Sequence, residues 1–314
     1  MDNAPSCPVC DGTDWQLLGS RHYDRHAFPA LRYERARHEV LFNVWLREAE
    51  DVELKTLACA RCGLVIYTPR PDTADIRRKY EYLNSHETAQ AEFGRDLPSD
   101  RRRSRELMAF LRPWLGDKPL TILDFGGGKG RLLHEFVASG HRCGVVDYVE
   151  EVIPGVAYFG RDLAALPAGP RFNLVICSHV IEHLADPLGA VAELVGVLEQ
   201  GGHLYVEVPS EIWKRPPPVM DPVTHINFFT PASLRTLLET AGLQLSTCRY
   251  ETFTRPNGQA GLAVKALGVR RPEMASSSVS YAGTAPLARL LAPSPLDRLL
   301  RVLRHPRLLG NIRH

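Results

Sequence analysis

The sequence predicts an α/β protein, in which a small metal-binding module precedes a doubly wound, mostly parallel sheet with helices on both faces. Two observations predict the sheet. Strand-like and helix-like segments alternate between residues 119 and 266, and the first strand runs directly into a glycine-rich turn. Two Cys-x-x-Cys pairs near the start of the chain predict the module. A length of 314 residues suffices for one full α/β domain and a smaller unit.

Composition excludes several classes of protein. A hydrophobic content of 44% and a charged content of 24% are typical of a globular protein. The formal net charge of +2 gives no general attraction for nucleic acid. The N-terminal residues lack the basic and apolar regions of a signal peptide, and no apolar run approaches the ~20 residues of a membrane span. We therefore expect a cytoplasmic protein.

Residues 1–71 are predicted to form a zinc-binding domain. The ligands would be Cys7, Cys10, Cys59 and Cys62. Four thiolates form the closed tetrahedral set of a structural zinc site, which leaves no open position for catalysis. Four unrelated buried cysteines or a redox pair are the alternatives, and the paired spacing favours zinc. Between the pairs, residues 35–50 show a helical pattern with apolar residues on one face.

Residues 72–118 are predicted to form a helical connector or lid. The densest basic run of the chain lies here, at Arg101, Arg102, Arg103 and Arg105. These side chains could contact phosphate, but the apolar positions that follow at helical spacing favour the solvated face of a helix.

The glycine-rich turn indicates a nucleotide-type cofactor. Asp124 ends the first strand, and Gly126, Gly128 and Gly130 follow it. A Walker loop would need Ser or Thr after its lysine, and the dinucleotide fingerprint is spaced G-x-G-x-x-G, so neither fits. A carboxylate at this place can hold the ammonium of an aminoacyl cofactor, whereas the simpler alternative is a structural glycine turn. Asp-x-Gly-x-Gly-x-Gly resembles the first motif of class I S-adenosylmethionine (SAM) methyltransferases, which implies their Rossmann-like sheet and SAM as cofactor.

Further cofactor contacts are predicted at the ends of the next strands. Asp147 follows the strand at 142–146 and can accept both ribose hydroxyls, although a turn-forming Asp is the alternative. The resemblance assigns Asp162 to the adenine amine and the backbone N–H of Leu163 to the adenine ring. Ser178 emerges at the carboxyl end of the buried strand at 172–177, which places it at the same site.

Three histidines are candidate catalytic residues. Residues 178–187 read x-His-Val-x-Glu-His-Leu-x-Asp-Pro, which closely resembles the same superfamily. His179 and His183 therefore line the methyl-transfer site or serve as hydrogen-bonded structural histidines, and both interpretations stay open. His225 falls on the histidine that is the proposed base of zinc-bearing sugar C-methyltransferases, and a histidine that only anchors its loop is the alternative. Pro222 and Thr224 replace the Tyr and Glu of that motif, which weakens the case for carbon methylation.

The N-terminal segment extends this resemblance over nearly all of residues 1–266. Cys-x-x-Cys-Gly, an apolar strand and a Pro-Arg-Pro exit resemble the start of a bacterial group that places a zinc-binding domain before the SAM fold. Some members of that group methylate sugar carbons. The resemblance implies a SAM-dependent methyltransferase acting on a hydroxyl, or next on a carbon, of a small molecule or saccharide such as a nucleotide-sugar. An RNA methyltransferase and a non-catalytic SAM-binding protein are the alternatives.

The remaining boundaries place the methyltransferase domain at 119–267 and a linker with a basic amphipathic helix at 268–314. The helical spacing of leucines from Leu287 to Leu303, with arginines between them, would suit peripheral contact with a membrane surface. Docking on the chain's own domain or on a dimer partner is favoured over the membrane. The sequence predicts no particular oligomeric state.

Overall fold

A computed structural model describes residues 5–27, 35, 38–85, 98–166, 171–212, 225–255, 257–271 and 279–292. Two sheets organise these residues. The strands are β1 (Trp15–Asp24), β2 (Asp51–Cys59), β3 (Val65–Thr68), β4 (Thr121–Phe125), β5 (Arg142–Val146), β6 (Val156–Gly160), β7 (Phe172–Ser178), β8 (Leu198–Pro209), β9 (Asn227–Phe228), β10 (Leu243–Thr254) and β11 (Ala260–Arg270). The helices are α1 (Thr73–Ser85), α2 (Pro98–Leu115), α3 (His134–Ala138), α4 (Pro187–Val197), α5 (Pro231–Thr240) and α6 (Ala285–Leu291).

The larger sheet has seven strands in the order β10-β11-β8-β7-β4-β5-β6. Neighbours from β8 to β6 run parallel, and β11 and β10 complete the sheet as an antiparallel pair. The central strand β4 is buried on both faces, since Ile122 and Leu123 belong to the two core clusters on opposite sides of the sheet. This arrangement confirms the predicted Rossmann-like fold, whose ligands bind beyond the carboxyl ends of the parallel strands.

Local signals predicted several element boundaries correctly. Asp186 caps α4 by accepting a hydrogen bond from the backbone N–H of Gly189, and Pro187 occupies the first turn. Thr230 caps α5 in a capping box with Ser233. In each case the cap depends on residues adjacent in sequence, which is why the sequence alone predicts it.

The helix expected over residues 35–50 is confirmed only in part. Residues 35, 38 and 39 are α-helical, a six-residue π-helical turn, Val40–Trp45, continues from them, and β2 begins at Asp51. The guanidinium of Arg25 donates hydrogen bonds to the carbonyl oxygens of Leu46 and Ala49, at 3.1 and 2.8 Å. Arg25 follows the last residue of β1. Because its side chain binds these carbonyls, the helical hydrogen bonding ends there and the chain continues into β2.

The four-stranded sheet, in the order β1-β2-β3-β9, is not built from the first 71 residues alone. Its last strand, β9, comes from the segment between β8 and α5 and pairs Phe228 with Val65. Asn227 is buried and donates from its amide to the carbonyls of Ile181 and Leu184, both at 2.8 Å. Arg70 binds the side-chain oxygen of Asn227 at 2.8 Å, so the small sheet is fastened to the loop after β7.

The described part of the tail packs against this small sheet. Leu287 of α6 is 2% exposed and contacts Ala58, Val65 and Phe228. The backbone N–H of Gly283 donates to the carbonyl of Arg61 at 3.1 Å. The tail therefore docks on its own chain up to residue 292, and the leucines predicted at 296–303 lie outside the described residues. Among the described helices, none combines the length and the apolar character needed to cross a bilayer.

We predict that Asn227→Ala lowers the free energy of unfolding by about 2–4 kcal/mol, because it removes three hydrogen bonds of a buried side chain, two to the carbonyls of Ile181 and Leu184 and one from Arg70. Urea unfolding followed by circular dichroism would measure this loss. Asn257→Ala is the matched control, since Asn257 is exposed and its amide bonds only within its turn. Equal stability of the two variants would contradict the fastening role.

Candidate active site

The glycine-rich loop leaves β4 in a backbone conformation that suits glycine. Gly126, Gly128 and Gly130 have φ values of +69°, +56° and +75°. No atom lies within 4 Å of the place where a side chain of Gly128 would begin, so the loop offers bare backbone to a ligand. The N–H of Gly128 donates to Oδ2 of Asp147 at 2.9 Å, which ties the loop to the end of β5.

Asp124 lies beneath this loop with 1% of its surface exposed. Among the described residues, neither oxygen of its carboxyl group has a hydrogen-bond partner. A side chain at Gly127 would overlap this carboxyl, so the close approach requires glycine. Burial, and then the nearby charge of Asp147, raises the pKa of Asp124 to about 8. A buried acid without partners fits the positively charged group of a ligand.

The other predicted cofactor residues lie along the same edge of the sheet. Asp147 also accepts from the N–H of Val149 at 2.9 Å, so both of its oxygens point toward backbone donors. Asp162 is exposed at the end of β6 and caps a short 3-10 turn by accepting from Ala165. Leu163 is half-buried in that turn. Asp124, Asp147, Asp162 and Ser178 therefore follow four neighbouring strands, as expected for a cofactor that spans the sheet edge.

A buried carboxylate, Glu207, organises the next part of the site. Its exposed fraction is 4%, and it sits near the end of β8. Its partners are the guanidinium of Arg103 at 2.8 Å, Nε2 of His179 at 2.9 Å, the hydroxyl of Tyr205 at 2.7 Å, Nζ of Lys265 at 3.5 Å and the hydroxyl of Ser178 at 3.4 Å. Its pKa lies below the usual range, because the hydrogen bond and charge of His179, then the charges of Arg103 and Lys265, outweigh the opposing effect of burial.

Strand register brings this group together. Ser178 stands opposite Glu207 in the pairing of β7 with β8, and Lys265 stands opposite Glu207 in the pairing with β11. Arg103 arrives from α2. The expectation that the arginine run is a solvated face is wrong for this residue, whose side chain is 19% exposed against 63% for Arg102. The helical rotation directs Arg103 onto the sheet, while Arg102 points outward.

His179 bridges two carboxylates at the end of β7. Its Nε2 contacts Glu207 at 2.9 Å, its Nδ1 lies 3.5 Å from Glu182, and its backbone adopts φ +58°. Burial lowers the pKa of His179, but the bonds and charges of the two glutamates outweigh burial and raise that pKa to about 9. The ring is therefore a cation at neutral pH, and a protonated ring cannot serve as a base.

His183 and His225 meet edge to face, with ring centroids 4.5 Å apart. Nδ1 of His225 lies 2.5 Å from a carboxylate oxygen of Glu211, whose side chain is 8% exposed. Nδ1 of His183 lies 3.4 Å from the ammonium of the buried Lys79. Burial lowers the pKa of Lys79 to about 8, although the charge of Glu182 opposes this shift. The structure thus brings all three predicted histidines to one region and gives each a different partner.

A cavity of about 480 Å³ opens beside these histidines. This volume is within the range of small-molecule sites. Its lining residues are Arg103, His179, Pro209, Ser210, Glu211, His225, Phe253, Arg255, Asn257 and Leu262. His183 does not line this cavity and lies behind His225. The cavity could admit an acceptor molecule to the carboxyl end of β7.

The four paired cysteines form a separate cluster. Sγ of Cys7 lies 3.6 Å from Sγ of Cys62, and Sγ of Cys10 lies 3.5 Å from Sγ of Cys59. All four sulfur atoms lie within 4.8 Å of one another and are buried. Tetrahedral zinc with Zn–S bonds of 2.3 Å requires sulfur atoms about 3.8 Å apart. The donor set and its spacing therefore fit a zinc ion.

Sequence reasoning missed Arg103, Glu207, Glu211 and Lys79 as members of the site. Glu207 carried one usable signal, since it comes at the carboxyl end of a strand within Glu-Val-Pro. Glu211 is only two residues beyond that strand, where side chains of a doubly wound sheet face the ligand. Arg103 and Lys79 carried no local signal, because their helices present them to residues about a hundred positions away.

We predict that the stabilisation due to His179 falls as the pH rises. A folded-state pKa of about 9, raised from 6.5, contributes stability that is complete below pH 6.5 and lost as the pH passes 9. The difference in unfolding free energy between the wild type and His179→Asn should therefore shrink by up to about 3 kcal/mol between pH 6 and pH 10. Asn tolerates positive φ, so the variant retains the backbone. A difference that does not change with pH would contradict the ion pairs.

Two solved structures illustrate what the chain is similar to. One is the Burkholderia thailandensis 1,6-didemethyltoxoflavin-N1-methyltransferase, solved with 1,6-didemethyltoxoflavin and S-adenosylhomocysteine. Its sequence is 20% identical to this chain, and the match covers 66% of this chain and 96% of that chain, with a TM-score of 0.48. Magnesium protoporphyrin IX methyltransferase from Synechocystis PCC 6803 is 15% identical over 60% of this chain and 97% of that one, with a TM-score of 0.46. Similarity at this level does not identify an acceptor.

No curated protein matches the sequence significantly. A family of proteins described as "Methyltransferase domain" matches residues 97–247. That segment contains α2, the glycine-rich loop, the acids at the ends of β5 and β6, and the cluster around Glu207 apart from Lys265. Residues 97–247 therefore form a methyltransferase domain, which supports a SAM-dependent methyltransferase.

Proposed function

We propose that this enzyme transfers a methyl group from SAM to a hydroxyl, or next to a carbon, of a small molecule or saccharide such as a nucleotide-sugar. One observation carries the proposal. The Glu211–His225 pair lines the same 480 Å³ cavity as His179. His179 directly follows β7, the strand that pairs with β4 of the glycine-rich loop. A base in such a position suits an acceptor that must lose a proton.

The residues at the sheet edge fit the cofactor. Asp124 offers a buried carboxyl group without partners to the ammonium, and the open backbone at Gly128 admits the ligand. We assign Asp147 to the ribose hydroxyls, and Asp162 with the N–H of Leu163 to the adenine. Gly126 and Gly130 shape the loop, and Ser178 borders it at the end of β7. When bound, SAM supplies a methyl group on a positively charged sulfur atom.

His225 is the proposed general base. Because its Nδ1 faces a carboxylate, the ring holds its proton on Nδ1 and leaves Nε2 able to accept one. Glu211 then stabilises the imidazolium that forms, as a positioning residue. His179, held as a cation between two glutamates, would orient Glu207 and Glu182 and add positive charge beside the acceptor. His183 supports the ring of His225 by edge contact.

A structural zinc ion in the cysteine cluster is part of the same proposal. The knuckle at Cys59 and Cys62 ends directly before β3, and β3 pairs with β9 two residues after His225. Zinc would therefore hold the strand against which the base is positioned. The expected cytoplasmic location is part of the same proposal, since cysteine pairs at metal-binding spacing suit a reducing compartment.

The experiment that tests the function uses SAM labelled in its methyl group, the full-length protein and an extract of the producing cell. We expect label in small molecules or saccharides that resist nuclease. Label in nuclease-sensitive material would contradict the proposal and indicate an RNA methyltransferase. Gly128→Val is the cofactor control, because a β-branched residue at φ +56° is strained, and SAM binding should be lost.

We predict that His225→Asn reduces the rate of methyl transfer by about 10²–10⁴-fold while SAM affinity stays within twofold, since the residue acts on the acceptor's proton. Glu211→Gln should reduce the rate by about 10–100-fold, because a neutral amide cannot stabilise the imidazolium. Glu239→Gln on α5, which removes an ion pair with Arg235, is the matched control. Transfer at the wild-type rate in His225→Asn would leave only a structural role for the ring.

We predict one zinc ion per chain in protein purified without a chelator, measured by mass spectrometry of the metal. Cys59→Ser should lose the ion, because three thiolates and a hydroxyl bind zinc much more weakly. Cys248→Ser is the control, since its thiol lies outside the cluster and bonds to the carbonyl of Pro231. Well under one zinc per chain in the wild type would refute the site.

A further inference from the structure

The β10–β11 hairpin forms one wall of the cavity and presents it with an aromatic ring and a cation. Phe253 and Arg255 both line the cavity, and both side chains lie over Gly261 of the facing strand. A side chain at Gly261 would meet the ring of Phe253 and Nε of Arg255. Glycine at this position therefore leaves the space that the two side chains occupy.

This wall is continuous with the catalytic end of the cavity. The ring of Phe253 lies 4.9 Å from the ring of His179, measured between centroids, and 5.3 Å from the guanidinium carbon of Arg103. His179, Phe253 and Arg255 thus follow one another along the wall. An acceptor lying on Phe253 would reach Arg255 at one end and the methyl-transfer end at the other.

Within the described part of the chain, Arg255 differs from the other cations that line the cavity because it has no counter-charge. Arg103 and His179 are both bound to Glu207. For Arg255, the described residues provide no ion pair, and its Nε is buried without a hydrogen-bond partner. Removing an arginine donor from water without replacing its hydrogen bond is costly, so a position of this kind points to a ligand.

The charges that line the cavity leave a positive excess at Arg255. Glu211 is the acidic residue in the lining, and it already faces His225. Leu262, with 47% of its surface exposed, adds an apolar rim beside Arg255. The described part of the cavity thus combines a free guanidinium, an aromatic face and an apolar edge.

We propose that Arg255 binds an anionic group of the acceptor, a phosphate or a carboxylate, while Phe253 and Leu262 contact the ring or apolar body that carries it. This inference rests on the proposed function and specifies the substrate class of the same site. A guanidinium matches both anions, since it can donate two parallel hydrogen bonds to their oxygens. The acceptor would be oriented by its charge at one end and methylated at the other.

The first test asks whether the labelled product is an anion. Product formed by the wild-type protein from the small-molecule fraction of the extract is applied to an anion-exchange resin at pH 8. We expect retention on the resin. Treatment with phosphodiesterase and alkaline phosphatase then distinguishes the sources, because a phosphate-bearing product loses its retention and a carboxylate keeps it. Label that passes through the resin unretained, or that nuclease releases, would overturn the proposal.

The second test asks whether Arg255 supplies the binding. At limiting extract, Arg255→Gln should lower label uptake about 10–100-fold, and Arg255→Lys should recover part of it, since the charge returns without the two-pronged geometry. Arg249→Gln is the control, because Arg249 lies on β10, the strand that leads to Arg255, and already binds Glu251 at 2.7 Å. Uptake by Arg255→Gln equal to that of the control would overturn the proposal.

SAM binding, measured by calorimetry on each full-length variant, separates this inference from the proposed function. Arg255 contacts none of the residues assigned to the cofactor, so we expect wild-type affinity for SAM in all three variants. Wild-type protein that binds SAM and labels a neutral product would refute the anionic acceptor and retain the methyltransferase. Wild-type protein that fails to bind SAM would refute the proposed function itself.

Discussion

A single buried carboxylate determines how the catalytic end of this molecule is arranged. Glu207 carries a negative charge where water is almost excluded, and such a charge is tolerated only with several partners. Arg103, His179 and Lys265 supply the positive charge, and the hydroxyl of Tyr205 completes the set. These partners come from helix α2, the adjacent strands β8 and β11, and the residue that follows β7. Helix α2, the sheet and the loop after β7 are consequently held in one mutual orientation around the cavity.

This cluster also divides roles among the histidines. A histidine that bridges Glu207 and Glu182 is held as a cation, so we propose the proton-accepting role for a different histidine. His225, whose Nδ1 faces Glu211, is that residue. In this proposal the same residue type serves as a fixed charge at His179 and as a base at His225.

The small sheet takes part in the site through its last strand. β9 begins two residues after His225 and pairs with β3, which follows the second cysteine pair. Arg70 and Asn227 then bind the loop that carries His183. We propose that a metal bound at the cysteines would stiffen β3 and hence the segment of His225. A structural module can contribute to catalysis in this way without contacting the acceptor.

The sequence by itself determined the features that depend on neighbours in the chain. The strand at 142–146, the caps at Asp186 and Thr230, the glycine-rich turn after Asp124 and the two cysteine pairs are all local patterns, and the structure contains each of them. The tertiary structure decided which side chains meet. Arg103 reaches Glu207 across 104 positions, and Arg25 ends the expected helix by binding carbonyls of a distant turn. Strand register and helix packing set these contacts, and neither is encoded within a short stretch of residues.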